Sequence, residues 1–159
     1  ATLLACEIAA KLKAEGSSFY QKLLELYTQF GLYQEDLISL VKKGIQGEQE
    51  IKKMLIELRH TPLESIDGEK VVLIEDYLSS KANNLQDLTE SLIKTPKSNV
   101  LIYYTENGTK IAARPSGTEP KIKFYISVNT QLDSIEEYEE RNNELIDKIN
   151  RIKKELKLA

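Results

Sequence analysis

Cysteine, histidine and tryptophan are almost missing from this sequence: 159 residues hold one Cys, one His and no Trp. Cys6 has no second cysteine to pair with and cannot build a Cys-cluster zinc site, which fits a reducing, cytoplasmic setting. His60 stands in Arg59-His60-Thr61-Pro62 with no carboxylate, Cys or second His among its immediate neighbours, so it reads as a loop residue after a helix rather than a ligand or base. No apolar run approaches the ~18 residues of a membrane-spanning helix. Ala1 to Ala14 is interrupted by Glu7, Lys11 and Lys13 and lacks the continuous apolar stretch of a secretory signal. Charge of one sign is also missing. With 22 Lys and Arg against 25 Asp and Glu, the net charge is −3, and no global basic field recruits nucleic acid or acidic lipid. Seven Gly and four Pro beside 41% hydrophobic residues argue for a folded chain, with eight Tyr and three Phe as large core groups. The length suits one ordinary domain, or a small domain with part of another.

Hydrophobic spacing marks out the elements. Leu3, Leu4, Ile8 and Leu12 recur at helical spacing with no capping signal ahead of them, as if the helix began earlier. Ser18 and Gln21 form a capping-box pattern before Phe19, Leu23, Leu26, Tyr27 and Phe30, and Gly31 suits the end of that second helix. Asp36 to Val41 reads as a strand, Gly44 and Gly47 as breakers, and Glu48 to Leu58 as a helix with Ile51, Leu55 and Leu58 on one face. Val71 to Ile74 reads as a strand. Ser79 to Asn99 is polar, with Leu85, Leu88 and Leu92 at the spacing of a short helix.

The C-terminal signals are sharper. Val100 to Tyr104 and Lys110 to Ala113 flank Asn107-Gly108, a dipeptide suited to a tight hairpin because both residues tolerate positive φ. Ile122, Phe124, Ile126 and Val128 alternate with polar residues, the period of a half-buried strand. Ile135, Tyr138, Leu145, Ile149, Ile152 and Leu156 follow helical spacing, acidic early and basic late, with Asn142 filling one place in the stripe. Such a stripe serves either to cover a sheet or to form a dimer seam.

Between two expected strands lies Arg114-Pro115-Ser116-Gly117-Thr118-Glu119-Pro120-Lys121-Ile122-Lys123, whose residue types suit a phosphate dianion. Arg114 offers a two-pronged set of charged donors, and Ser116 and Thr118 add rotatable hydroxyls. Gly117 permits close backbone approach or positive φ, the prolines stiffen both ends, and Lys121 and Lys123 add charge at the exit. The same composition also suits a turn that merely joins two strands.

The stretch from Arg114 to Tyr125 resembles the phosphate-binding loop in the C-terminal domain of the α-D-phosphohexomutases, which include phosphoglucomutase and phosphomannomutase. The resemblance extends from about Tyr33 onward. It implies an α+β fold with a mostly antiparallel sheet and helices on one face, like the TATA-binding protein. Residues 1–31 are then the last helices of a preceding domain, and residues 32–159 the phosphate-binding domain. By that resemblance Arg114, Ser116, Gly117, Thr118, Lys121 and Lys123 hold the non-reacting phosphate of a hexose phosphate, although many members carry Arg where Lys123 stands. The family moves phosphate between C1 and C6 through a phosphoserine, with Mg²⁺ and a glucose bisphosphate-type activator. The motifs for the phosphoserine, the metal and the sugar-selecting loop do not occur in this sequence. The resemblance thus implies a C-terminal portion that is inactive alone, works with the other mutase domains, and contributes no catalytic residue and no metal ligand. Two other readings stand beside it: a nucleic-acid module, which the net charge opposes, and a dimerisation domain built on the last helix.

Overall fold

Alternation of more and less covered residues in the two longest strands fixes the architecture. A computed structural model describes residues 1–158 as helices α1 (Thr2–Ala14), α2 (Phe19–Phe30), α3 (Gly44–His60) and α4 (Tyr138–Glu155), with strands β1 (Leu32–Val41), β2 (Ser65–Ile66), β3 (Glu69–Asp76), β4 (Lys81–Asn84), β5 (Thr89–Leu92), β6 (Leu101–Thr105), β7 (Lys110–Pro115) and β8 (Lys121–Thr130). A 3₁₀ turn, Ile135–Glu137, precedes α4. The sheet runs β1-β8-β7-β6-β3-β4-β5, and β2 pairs with β3 off this path. Every pairing is antiparallel, so the fold is α+β as expected.

One face of the sheet is covered. Ile122, Phe124, Ile126 and Val128 of β8 are buried together with Ile111 and Ala113 of β7 and Leu101 and Tyr103 of β6. Ile51 and Leu55 of α3 and Leu145, Ile149 and Ile152 of α4 complete this core. Helix α4 packs on β1 and β8, so its apolar stripe is occupied within the chain and covers the sheet, not a dimer seam. Its first turn carries Glu139 and Glu140 and its last Lys153 and Lys154, as the helix dipole favours. Helix α2 lies against β1 and the 3₁₀ turn, where Tyr27 stacks on Tyr138 at 6.1 Å between ring centres. The Ser18 hydroxyl caps α2 by accepting the Gln21 N–H at 3.2 Å.

Several expectations need correction. The strand expected from Asp36 begins at Leu32, because β1 pairs with β8 from Leu32↔Thr130 to Val41↔Lys121. β1 does end at Val41, ahead of the two glycines, but the helix expected from Glu48 already begins at Gly44, so Gly44 and Gly47 lie in the first turns of α3, and His60 is its last residue. At Gly47 an added Cβ would stand 2.6 Å from the Lys42 carbonyl carbon, so glycine permits the helix to pass close to the end of β1. Leu85, Leu88 and Leu92 form no helix. They sit in and around the β4–β5 hairpin, where Leu88 and Leu92 are exposed and face no core. Its turn is built by the side chains of Asn84 and Asp87, which accept the N–H groups of Gln86 and Thr89. In the β6–β7 hairpin only Gly108, not Asn107, takes positive φ.

A buried polar cluster ties the hairpin to α4. Glu69 accepts hydrogen bonds from the hydroxyls of Thr105 and Thr109 at 2.6 and 2.7 Å and from Lys148 at 2.5 Å. Burial pushes its carboxyl up, but the bonds from Lys148, Thr105 and Thr109 and the ammonium charge outweigh that, leaving it below its ordinary range. The depressed folded value gives stability that is present above the ordinary value of 4.5 and is lost as the pH falls through the folded value beneath it. Glu69→Gln is therefore expected to lower unfolding stability by about 2 kcal/mol at neutral pH. It should also flatten the loss of stability below pH ~4.5, read by urea titration across pH. An unchanged acid limb would show that Glu69 contributes nothing to it.

Candidate functional site

The register of β7 with β8 sends charged side chains to the face that α3 and α4 leave free. Arg114 stands directly opposite Lys123, while Ala113↔Phe124 and Pro115↔Ile122 alternate with it. Lys121 is two residues from Lys123 and so shares its face. The connecting loop closes tightly, with the Ser116 N–H donating to the Lys121 carbonyl at 2.8 Å and the Lys121 N–H donating to the Glu119 carbonyl at 2.7 Å. The end of β1 anchors its exit, since the Lys42 N–H donates to the Pro120 carbonyl at 2.9 Å.

A cavity of about 380 Å³ is lined by Arg114, Pro115, Ser116, Gly117, Thr118, Glu119, Lys121 and Lys123. All six residues expected from the sequence to bind phosphate thus border one space. Gly117 departs from its expectation in one respect. It is not among the positive-φ glycines, and an added Cβ would meet no atom within 4 Å. Neither backbone conformation nor neighbouring packing calls for glycine there, so of the two roles expected only close approach by another group fits. His60 and Cys6 are not among the cavity residues; Cys6 is exposed on α1.

Sequence reasoning assigned no role to Glu119. Its carboxylate meets the Lys121 ammonium at 2.5 Å, and it is well exposed while Lys121 is more covered. The hydrogen bond and charge of Lys121, with the Lys123 charge behind them, hold its carboxyl below the ordinary range, so it is ionised at neutral pH. Three cations and one carboxylate therefore surround the cavity. A net surplus of positive charge beside hydroxyls and open backbone is a composition that suits an anion. Among the described residues no three His, Cys, Asp or Glu side chains gather as a metal site, and no helix is long and apolar enough to cross a membrane.

No family model matches the chain. The phosphoglucomutase of Staphylococcus haemolyticus (strain JCSC1435) is 41% identical over 118 residues, 74% of this chain and 21% of that protein. The phosphoglucomutase of Staphylococcus aureus (strain MSSA476) is 39% identical over 125 residues, 79% of this chain and 22% of that protein. The chain spans about a fifth of the length of these curated relatives. Among solved structures, the open form of the exocytosis-sensitive phosphoprotein pp63/parafusin, a phosphoglucomutase from Paramecium, aligns with TM-score 0.44 and 14% identity, covering 85% of this chain and 24% of that one.

The Glu119–Lys121 pair makes a prediction of its own. An exposed ion pair is weak, so an entering anion displaces it at small cost, and removing the carboxylate frees Lys121. Glu119→Gln should tighten the binding of inorganic phosphate roughly two- to fivefold, measured by calorimetric or NMR titration. Weaker binding would mean that Glu119 instead holds Lys121 in position for the anion.

Proposed function

We propose, since the chain belongs to the phosphohexomutase family, that the β7–β8 loop holds the phosphate of a hexose phosphate that is not reacting. One observation carries this reading: Arg114, Lys121 and Lys123 gather on one sheet face around one cavity that Ser116, Gly117 and Thr118 also line. In this reading the Arg114 guanidinium engages two phosphate oxygens at once, and the ammonium groups of Lys121 and Lys123 supply further charge. The hydroxyls of Ser116 and Thr118 rotate onto remaining oxygens. The open space beside Gly117 belongs to the ligand, whose oxygens approach the backbone there.

Holding a remote phosphate is a positioning task. In the longer enzyme it fixes the reacting hydroxyl of the sugar against a phosphoserine, and the sugar binds in two orientations as phosphate moves between C1 and C6. The phosphoserine, Mg²⁺ and a bisphosphate activator act from other domains. The residues gathered here do not fit a Mg²⁺ site, and no step in this chain is routed through one. In the same reading, residues 1–31 belong to the preceding domain, residues 32–159 form the phosphate-binding domain, the enzyme is cytoplasmic, and the chain alone interconverts no hexose phosphates.

Arg114→Lys keeps the charge and removes the two-pronged geometry, so it tests this assignment. We expect it to weaken binding of inorganic phosphate to the chain about tenfold, with Arg114→Ala weaker still. Titration calorimetry gives the affinities, and circular dichroism checks the fold. Full affinity in the Lys form would reduce Arg114 to a charge. Full affinity in the Ala form would remove the loop as the phosphate site.

A further inference from the structure

The sheet ends at β5, which pairs with β4 on one side and has no strand on the other among the described residues. Every residue of this strand is exposed. The β4–β5 ladder runs without a bulge from Asn84↔Thr89 to Lys81↔Leu92, and the Ile93 N–H extends it by donating to the Ser80 carbonyl at 2.9 Å. That bond sets the parity of the strand. Backbone groups alternate sides along an antiparallel strand, so Thr89, Ser91 and Ile93 turn theirs toward β4, while Glu90 and Leu92 turn theirs outward. Lys94 is the next residue in the outward series.

Proteins blunt such edges with proline, with bulges or with charge that a second strand cannot match. β5 contains no proline, and Pro96 comes only after Lys94. The one charge within it, Glu90, is drawn back by Lys81 of β4, with 3.0 Å between the charged groups. Asn83 stands between the buried Ile74 and Glu90, so Glu90 and Leu92 lie on the helix side of the sheet. They stay uncovered there, and Leu92 is 72% exposed.

We propose that this edge docks a second copy of the chain, β5 against β5 and antiparallel, with the two-fold axis at Leu92. A two-fold axis pairs residues that lie equally far from it on either side. With the axis at Leu92, each Leu92 meets its counterpart and Glu90 meets Lys94 of the other copy, in both directions. All of these are outward residues, so each pair exchanges both N–H···O=C bonds, and the charges directly opposed are of opposite sign. The neighbouring registers match poorly. An axis at Ser91 sets Glu90 opposite Leu92 and Lys94 opposite Leu88, and an axis at Ile93 sets Glu90 opposite Pro96, which has no N–H to give. Charge and backbone therefore select the same register, and it leaves the exposed Leu92 at the centre of the contact, out of water. The contact is short, so the dimer is weak, with half the chain paired at roughly 0.1–1 mM.

The test is sedimentation equilibrium of the full chain over a range of concentrations, with circular dichroism to check the fold. Lys94→Glu sets carboxylate against carboxylate, and Glu90→Lys sets ammonium against ammonium. Each alone should dimerise about tenfold more weakly than the wild type, or worse. Mixed in equal amounts, the two variants regain opposite charges at both positions and should form a heterodimer of about wild-type affinity. Leu92→Pro removes an outward N–H that β4 does not use, so it should abolish pairing with the hairpin intact. If Glu90→Lys fails to fold beside Lys81, Lys94→Glu and Leu92→Pro carry the test. A wild type still monomeric beyond about 1 mM would overturn the proposal. So would variants that the mixture does not rescue. A dimer that survives Lys94→Glu and Leu92→Pro but is lost in Leu4→Glu would give the contact to α1 and overturn the β5 edge.

Discussion

Arg114 and Lys123 face one another across the β7–β8 ladder, two like charges at directly opposed positions. Such a pair destabilises a sheet, and Lys121 adds a third cation on the same face. The chain tolerates this repulsion because register is fixed from the opposite face. Ile122, Phe124, Ile126 and Val128 are buried against α3 and α4, and a slip of one residue would send the cations into that core and the apolar set into water. The same alternation that builds the core therefore concentrates positive charge where no helix lies. An anion bound there would relieve what the fold has forced together.

The neighbouring elements keep that concentration in place. Strand β8 lies between β1 and β7, so both of its edges are paired. The bond from Lys42 to Pro120 ties the loop exit to the end of β1, while the Ser116–Lys121 bond closes its neck. Glu119 supplies an internal counter-charge, and because its carboxylate is well exposed the ion pair is weak. The same ladder carries Leu37, Tyr125 and Ala112 one step beyond the cations. Charge, loop closure and open apolar surface are thus consequences of one register.

Much of this was legible in the sequence, for identifiable reasons. The alternation in β8 is unbroken, Asn107-Gly108 marks the β6–β7 hairpin, and the α4 stripe has one face to bury. The charged loop stands out because Arg, Ser, Gly, Thr and Lys crowd into ten residues. The β4–β5 hairpin was not legible, since Leu85, Leu88 and Leu92 imitate helical spacing while the turn depends on Asn84 and Asp87 side chains. Gly47 reads as a breaker until its distance from Lys42 is known. Glu69 gathers partners from residues as far apart as Thr105 and Lys148, and no local pattern reports that. The row of Leu37, Tyr125 and Ala112 likewise exists only once three strands are set in register.

The measurement that bears most directly on the opposed cations is thermal unfolding of the wild type and Arg114→Gln at low ionic strength. Each is melted with inorganic phosphate and with chloride at equal ionic strength, so that general screening is held constant. Phosphate should raise the wild-type Tm with the logarithmic dependence of a bound ligand. The variant should lose most of that rise, and without phosphate it should melt at or above the wild-type temperature, because the repulsion has been removed. A variant that melts lower in chloride and gains as much from phosphate as the wild type would contradict the account.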